Sequence, residues 1–326
     1  MASWTCQILG SALTGRPNDV LVARYFRPDR DGNATLRFRF CPPGVFLMGS
    51  PRNEKGRWEI EAQHEVEHSR PFWMSESPIS QEVWEFIGST TLAEQARFAL
   101  LDTECRRIES QMRTQSEFYG LTPDHAAWLA DGPNNRPMHF VSWHEANQFC
   151  SRLSTIGWES EVLPRECVIR LPTEAEWEYA CRAGTVAATY GGDPTLSLDR
   201  GSFVLDPICW HEGNWNGDFG RQSHLVSNRQ QIGPPPTRCK RPNSWGLFDM
   251  IGNVWEWCLD TEAEYPTSRA VDPIVKGAGR RIPRGGSWYR LSRACRAANR
   301  GADDPGFRSN FTGFRVVISS ISHCDV

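Results

Sequence analysis

The sequence predicts an α+β domain that is irregular, rich in loops and interrupted by a helical insertion. Three observations support this fold class. Short runs near the N-terminus alternate apolar and charged residues, two helices in the middle of the chain begin at capping boxes, and a long tract rich in Gly, Pro and Asn follows neither period. A loop tract of that length within a compact domain must be held in place by side chains or ions.

Composition limits the classes of protein that the chain can belong to. Its 326 residues are 39% hydrophobic and 23% charged, which suits one large packed domain with insertions. A net charge of −3 argues against a broad nucleic-acid-binding surface, so we expect no nucleic-acid partner. There are 11 cysteines and no CxxC pair, no apolar run of transmembrane length and no basic leader. These features predict a cytoplasmic protein without a membrane span.

The first elements are predicted from alternation. Residues 1–36 read as an N-terminal lead-in to a domain spanning 37–326. Residues 35–40 alternate apolar and charged side chains, residues 45–50 form a second apolar run, and the turn at 41–44 between them predicts a hairpin. Residues 65–74 are expected to be extended.

Helices are predicted next. Ser80 is a plausible N-cap for a helix with Val83, Trp84 and Ile87 on one face. Residues 91–133 are helix-prone and are interpreted as a helical insertion with a role in scaffolding or oligomer contact.

Two firmer helices begin at capping boxes. These boxes pair Ser142 with Glu145 and Thr173 with Glu176. The carboxylates at 174, 176 and 178 are interpreted as capping groups, and Gly184 as the helix stop.

The C-terminal segment 284–317 is expected to carry the function. It opens with RGGSW at 284–288 and closes with GFRVV at 313–317, and GNVWEW stands upstream at 252–257. The residues between the two frames fit neither a helical nor a strand period. An irregular loop held between two buried frames is typical of a surface that presents side chains to a ligand.

Six motifs in order resemble the formylglycine-generating enzyme (sulfatase-modifying factor) domain family. They are NRPMHFVSWHEA, RLPTEAEWEYACRAGT, GNWNGD, PNSWGLFDMIGNVWEW, RGGSW and GFRVV. The resemblance covers roughly residues 38–317, with 91–133 as extra material. It implies a variant of the C-type lectin fold. Fold alone does not give function.

The resemblance also implies a chemistry that this chain departs from. The family's enzyme oxidises a substrate cysteine with copper, held by two cysteines shortly after the GGS frame. Soft Cu(I) needs thiolate ligands. The matching segment here contains only Cys295, at a position where the enzyme has another residue. We therefore expect no copper and no oxidase activity. The alternatives are a family enzyme with either oxidase or other chemistry, and a structural module acting through the 91–133 helices.

The same segment resembles, more narrowly, the variable proteins of diversity-generating retroelements. In those systems a reverse transcriptase mutates template adenines, and asparagine codons are the hot spots. At the asparagine-type positions this chain carries only residues that such codons reach by adenine changes. These are Tyr289, Arg290, Leu291, Ala294, Gly301, Asp303, Asp304, Phe307, Ser309, Asn310 and Phe311. The alternative is an ordinary relative whose loop happens to match.

This resemblance predicts a receptor-like protein that binds an unknown protein or other macromolecule through the variable region 284–317. Arg293 and Gly306 join the eleven positions above as expected ligand-contacting residues. Tyr289, Phe307 and Phe311 are expected to be exposed and clustered, as aromatic anchors among polar residues.

The family resemblance further implies a calcium site around the GNVWEW motif. Asp249 and Glu256 would bind through side chains, and Gly252 and Val254 through carbonyl oxygens. The alternative is that both carboxylates only accept hydrogen bonds from backbone and tryptophan groups.

Overall fold

The computed structural model describes residues 4–9, 15–16, 18–88, 90–102, 135–194, 203–215 and 233–320. Its strands are β1 Thr5–Leu9, β2 Val20–Arg27, β3 Arg30–Cys41, β4 Gly44–Met48, β5 His64–His68, β6 Phe72–Ser75, β7 Cys167–Arg170, β8 Trp255–Thr261, β9 Ala270–Val271, β10 Arg281–Arg284, β11 Thr312–Gly313 and β12 Val317–Ser320. Its α-helices are α1 Gln81–Ile87, α2 Leu92–Leu101, α3 Trp143–Glu159 and α4 Glu174–Arg182. The mixed α+β fold predicted from the sequence is confirmed.

The main sheet has the strand order β1-β2-β3-β6-β12-β7. The segment 1–36, predicted to be a lead-in, supplies β1, β2 and the first half of β3, so the predicted boundary at residue 36 falls inside a strand. Strand β2 buries alternate side chains, among them Leu21, Ala23 and Tyr25. This period-two burial is the reason that the segment belongs to the sheet and not to a flanking arm.

The predicted hairpin of residues 35–40 with 45–50 is wrong. Strand β3 pairs with β2 and β6, whereas β4 pairs with β5 in a separate sheet of order β4-β5-β9. Pro42 and Pro43 stand between β3 and β4. Consecutive prolines fix φ near −65° and lack N–H groups, so they do not form the positive-φ turns that close tight hairpins.

The predicted helix starts are confirmed. The Ser142 and Thr173 side chains accept hydrogen bonds from the backbone N–H groups of Glu145 and Glu176, and each glutamate bonds back to the cap residue. Thr91 and Glu94 form a third capping box at the start of α2, inside the predicted insertion. The rest of that insertion, residues 103–133, lies outside the described residues.

The largest core cluster joins the main sheet to α1 and α3. The closing frame is part of it, because Phe314 makes edge-to-face contacts with both Trp84 and Phe149. Val316 is also fully buried in this core. Among the described residues, no helix is both long and apolar enough to span a membrane.

Candidate ligand-binding surface

The variable region begins and ends beside one strand. Strand β8, which carries the Trp-Glu-Trp of the GNVWEW motif, lies between β10 and β11 in a three-stranded sheet. Arg284 of the opening frame and Gly313 of the closing frame both lie in register with Glu256 of β8. Two inter-strand spacings, about 10 Å in all, separate the loop's ends. The predicted arrangement, an irregular loop held between two buried frames, is therefore observed.

Backbone groups hold the loop along its length. The carbonyl oxygens of Arg290, Ser309 and Phe311 accept hydrogen bonds from the backbone N–H groups of Glu212, Phe140 and Trp255, at 3.1, 2.8 and 2.8 Å. Residues 301 and 303 form further backbone bonds with residues 283 and 281. None of these bonds uses a side chain of the predicted variable positions; elsewhere in the loop, the side chains of Asp304 and Ser309 accept hydrogen bonds from the backbone N–H groups of Gly306 and Phe311.

Arg284 holds the middle of the loop through buried hydrogen bonds. Its guanidinium, which is 0% exposed, donates to Glu178 Oε2 at 2.5 Å and to Glu174 Oε1 at 3.2 Å. It also donates to the carbonyl oxygens of Ala297 and Ala298, at 2.7 and 3.2 Å. One buried cation thus joins helix α4, strand β10 and the loop.

Two more arginines inside the region act in the same way. Arg300 makes a two-bond contact with Glu174, at 2.8 and 2.7 Å, and donates to the Ala263 carbonyl. Arg296, also 0% exposed, donates to Glu54, to Glu61 and to the Gly56 carbonyl. Glu174 and Glu178 are therefore counter-ions of these arginines, which corrects their interpretation as capping groups; Glu176 is the capping residue.

Arg315 of the closing frame pairs with Glu256. Its Nε and Nη2 donate to Oε2 and Oε1 of Glu256 at 2.6 and 2.8 Å, and Trp177 Nε1 donates to Oε2 at 2.7 Å. Arg300 and Arg315 also donate to backbone carbonyl oxygens outside the variable region, those of Ala263 and Phe248. The sequence did not indicate their carboxylate partners, because those partners are distant along the chain.

These contacts leave Glu256 poorly suited to bind calcium. Both of its oxygens already accept hydrogen bonds, and a cation there would face the Arg315 guanidinium. Asp249 accepts from the backbone N–H of Arg238 at 2.7 Å, and burial raises the pKa of Asp249 to about 6. The bonds from the Arg238 N–H and from Trp177 are of the kind that the hydrogen-bond alternative names, whereas the ion pair with Arg315 was not predicted.

Calcium is therefore expected to leave the stability of the protein unchanged. The measurement is the melting temperature with added Ca²⁺ and with a chelator, because a ligand that binds only the folded state raises it. A Ca²⁺-dependent rise that disappears in Asp249→Asn but persists in an exposed Asp304→Asn control would establish the calcium site and overturn this expectation.

The predicted ligand-contacting residues divide by exposure into three groups. Leu291, Arg293 and Asp304 are exposed. Tyr289, Arg290, Ala294, Gly301, Asp303, Gly306 and Asn310 are partly exposed. Phe307, Ser309 and Phe311 are buried. The available surface is thus formed mainly by the first part of the loop, including the short 3-10 turn Ser292–Ala294, and by residues 301–306.

The expectation that Phe307 and Phe311 are exposed is wrong. Each is 3% exposed and packs with Trp255 and Trp288, while Tyr289 lies at the edge of this aromatic cluster. The expected clustering itself is confirmed, since the Tyr289 and Phe311 rings stack with centroids 6.3 Å apart. Large aromatic side chains are buried when neighbouring rings can enclose them, but the sequence does not show that Trp255 and Trp288 lie beside Phe307 and Phe311.

Cys295 has a thiol neighbour that the sequence did not predict. Cys209, from the irregular tract, shares a hydrogen bond with it, and both side chains are 0% exposed. Burial, together with the neighbouring Cys295, raises the pKa of Cys209 above its ordinary value, which disfavours the thiolate. The matching loop segment therefore holds a buried thiol within an apolar cluster.

The raised pKa of Asp303 predicts that the stability of the fold depends on pH. Burial raises its pKa from 3.8 to about 6, against the opposing influence of Arg290 and Arg280. A carboxyl group with a raised pKa in the folded state favours folding below its unfolded pKa, and this contribution is lost as the pH rises through about 6. Asp303→Asn should therefore reduce the fall in melting temperature between about pH 4 and pH 7, as followed by thermal unfolding across that range. Parallel curves for the variant and the parent would contradict this.

The fold, with its loop held by buried arginines, defines an α+β domain. It is the variant of the C-type lectin fold that formylglycine-generating enzymes have. The chain belongs to the sulfatase-modifying factor enzyme 1-like domain family, whose model matches residues 29–320. The solved structures that share the fold include the following two. One is Treponema denticola variable protein 1, with a TM-score of 0.61 and 22% identity over 88% of this chain and 96% of that one. The other is PvdO from Pseudomonas aeruginosa, with a TM-score of 0.59 and 18% identity over 94% and 100%.

Relatives in sequence include proteins named as enzymes and one named as inactive. The formylglycine-generating enzyme of Streptomyces coelicolor is 33% identical over 59% of this chain and 56% of that protein. The Mus musculus enzyme is 28% identical over 87% and 75%. The inactive Cα-formylglycine-generating enzyme 2 of Bos taurus is 26% identical over 86% and 87%. Family membership therefore leaves the activity of this chain undecided.

Proposed function

We propose that region 284–317 is a ligand-binding surface whose side chains are diversified by a retroelement, and that the protein is not a cysteine oxidase. The observation that carries this proposal is the way the loop is held. Its path is set by backbone bonds to Glu212, Phe140 and Trp255 and by buried arginines outside the predicted variable positions. A repertoire needs a scaffold that keeps its shape while the presented side chains change.

The exposed part of the region has the composition of a binding surface. Tyr289 offers an aromatic ring, Leu291 an apolar side chain, Arg290 and Arg293 positive charge, and Asp304 negative charge. Aromatic anchors among adaptable polar groups are what protein-binding loops use. We infer a protein or other macromolecular ligand, whose identity depends on the residues present in each variant.

A display experiment tests whether this loop tolerates and uses variation. One library randomises positions 289, 290, 291, 293, 294 and 304. A matched control library randomises exposed positions on the β4-β5-β9 sheet, including Val45, Leu47 and Val271. The proposal predicts that the loop library folds as well as the parent and yields more binders to an arbitrary protein target such as lysozyme. Widespread misfolding of the loop library, or equal yields from the two, would contradict it.

The enzyme alternative rests on the relatives that are named formylglycine-generating enzymes. We expect no oxidation of a sulfatase-type cysteine peptide with added Cu(I), because Cys295 and its neighbour Cys209 are both 0% exposed and burial raises the pKa of the Cys209 thiol, which disfavours the thiolate ligands that Cu(I) needs. The assay measures loss of the peptide thiol and gain of the aldehyde, with the mouse enzyme as positive control. Turnover by this chain that ends in Cys295→Ser would establish the enzyme alternative.

A further inference from the structure

The segment 51–61 lies against the variable region and is fixed there by Arg296. This guanidinium reaches three points of the segment: Glu54 Oε1 at 2.5 Å, the Gly56 carbonyl at 2.7 Å, and both oxygens of Glu61 at 2.7 and 2.9 Å. Arg296 is fully buried, and its charge is balanced there by the two carboxylates. An irregular segment held at three points by one buried cation has a defined position relative to the loop that supplies the cation.

The fixed segment nevertheless leaves large apolar side chains in solvent. Trp58 is 51% exposed and Ile60 is 56% exposed. The guanidinium carbon of Arg293 stands 5.8 Å from the Trp58 ring centroid, so Trp58 adjoins the exposed part of the variable region, where Leu291 is 54% exposed. An exposed tryptophan on an ordered segment is typical of a binding hot spot, since it offers much contact area at little entropic cost.

The charges of this face favour an acidic partner. Glu54 and Glu61 are already paired with Arg296. The exposed charged residues are then the bases Arg52, Lys55 and Arg293 and, within the segment, the acid Glu59. Exposed basic side chains on the segment that carries Trp58 complement a protein surface with acidic groups beside an apolar residue. The net charge of −3 disfavours nucleic acid as the partner.

We propose that Trp58, with Lys55 and Arg52, forms a constant part of the ligand-binding face beside the variable positions, and that the partner is an acidic protein segment carrying an apolar anchor. This rests on the proposed function, which supplies the variable half of the face. The constant half provides binding energy common to all variants, and the variable half selects among acidic partners.

Selection of random twelve-residue displayed peptides on the intact protein tests this proposal. Enriched peptides should carry more Asp and Glu than the starting library, grouped around an aromatic or aliphatic residue. The best peptide, synthesised and titrated by fluorescence polarisation, should bind Trp58→Ala at least about tenfold more weakly. Val45→Ala is the matched control, because Val45 is 52% exposed on strand β4, outside both the segment 51–61 and the variable region. This variant should bind the peptide as tightly as the parent.

Further variants separate the two proposals. Lys55→Glu leaves Trp58 in place and should lower the affinity for the acidic peptide. The melting temperature should be unchanged in every variant. If Leu291→Ala and Arg290→Ala weaken binding while Trp58→Ala does not, the constant surface is wrong and the proposed function stands. If a peptide is enriched but none of these variants weakens its binding, both proposals are contradicted; if no peptide is enriched, the acidic-segment partner is wrong. If single-stranded oligothymidine binds and displaces the peptide, the protein partner is wrong.

Discussion

Replacing Arg284 by methionine is expected to lower the free energy of unfolding by about 3–5 kcal/mol. Methionine keeps most of the side-chain volume, but it leaves Glu178 and Glu174 buried with one cation fewer between them. The carbonyls of Ala297 and Ala298 also lose their donor. Urea unfolding followed by tryptophan fluorescence measures the change, with the midpoint and slope fitted separately.

Arg293→Met is the matched control for this change. Arg293 lies in the same loop but is exposed, so the substitution should alter the free energy of unfolding by no more than about 0.5 kcal/mol. A loss in Arg284→Met as small as that of the control would mean that the buried arginines do not set the loop's position, and the proposed scaffold would lose its physical basis.

Phe311→Ala is expected to cost about 3–5 kcal/mol of unfolding free energy, and Phe307→Ala a similar amount. Both rings are enclosed by Trp255 and Trp288, and truncation leaves a cavity among rigid aromatic neighbours that cannot collapse into it. Leu291→Ala, at an exposed position of the same region, should change stability by no more than about 0.5 kcal/mol.

Urea unfolding of these three variants decides whether the aromatic cluster is core or surface. If Phe311→Ala unfolds at the same midpoint as Leu291→Ala, the cluster is not structural and the original expectation of an exposed aromatic anchor is restored. The expected result also restricts the proposed diversification. Positions 307 and 311 must then stay apolar in any functional variant, while 289–294 and 304 vary freely.

The features that the sequence predicted well are those fixed by near neighbours. Capping boxes join residues three apart, so Ser142 with Glu145 and Thr173 with Glu176 could be found without knowing the fold. The closing frame was likewise predictable, because Phe314 and Val316 alternate with Arg315 in a short apolar run before β12.

Partners distant in sequence could not be predicted in the same way. Glu174 follows a cap residue, which suggested a purely local role, yet its carboxylate binds Arg300, which is 126 residues away. The segment 51–61 is charged and has no regular period in the sequence, and only the fold brings it to Arg296. A buried ion pair leaves no periodic trace in a sequence, since each partner requires only one charged residue in an otherwise ordinary context.

The strands of the first 36 residues were missed for a different reason. The alternation of Leu21, Ala23 and Tyr25 in β2 is a strand signal, but it covers a single strand and does not show what that strand pairs with. Strand β2 joins the sheet because it pairs with the long strand β3. This pairing satisfies its backbone hydrogen bonds and buries the apolar face of β2.

The most direct test of the proposed function is to sequence the gene together with its flanks. Diversification by a retroelement predicts a near-copy of the stretch that encodes 284–317, beside a reverse-transcriptase gene. The copy should differ from the coding stretch only where the copy has adenine, with the differences concentrated at codons 289–291, 294, 301, 303 and 304. A locus without such a copy, or with differences spread over all four template bases, would contradict the proposal and leave the chain a family member with a fixed loop.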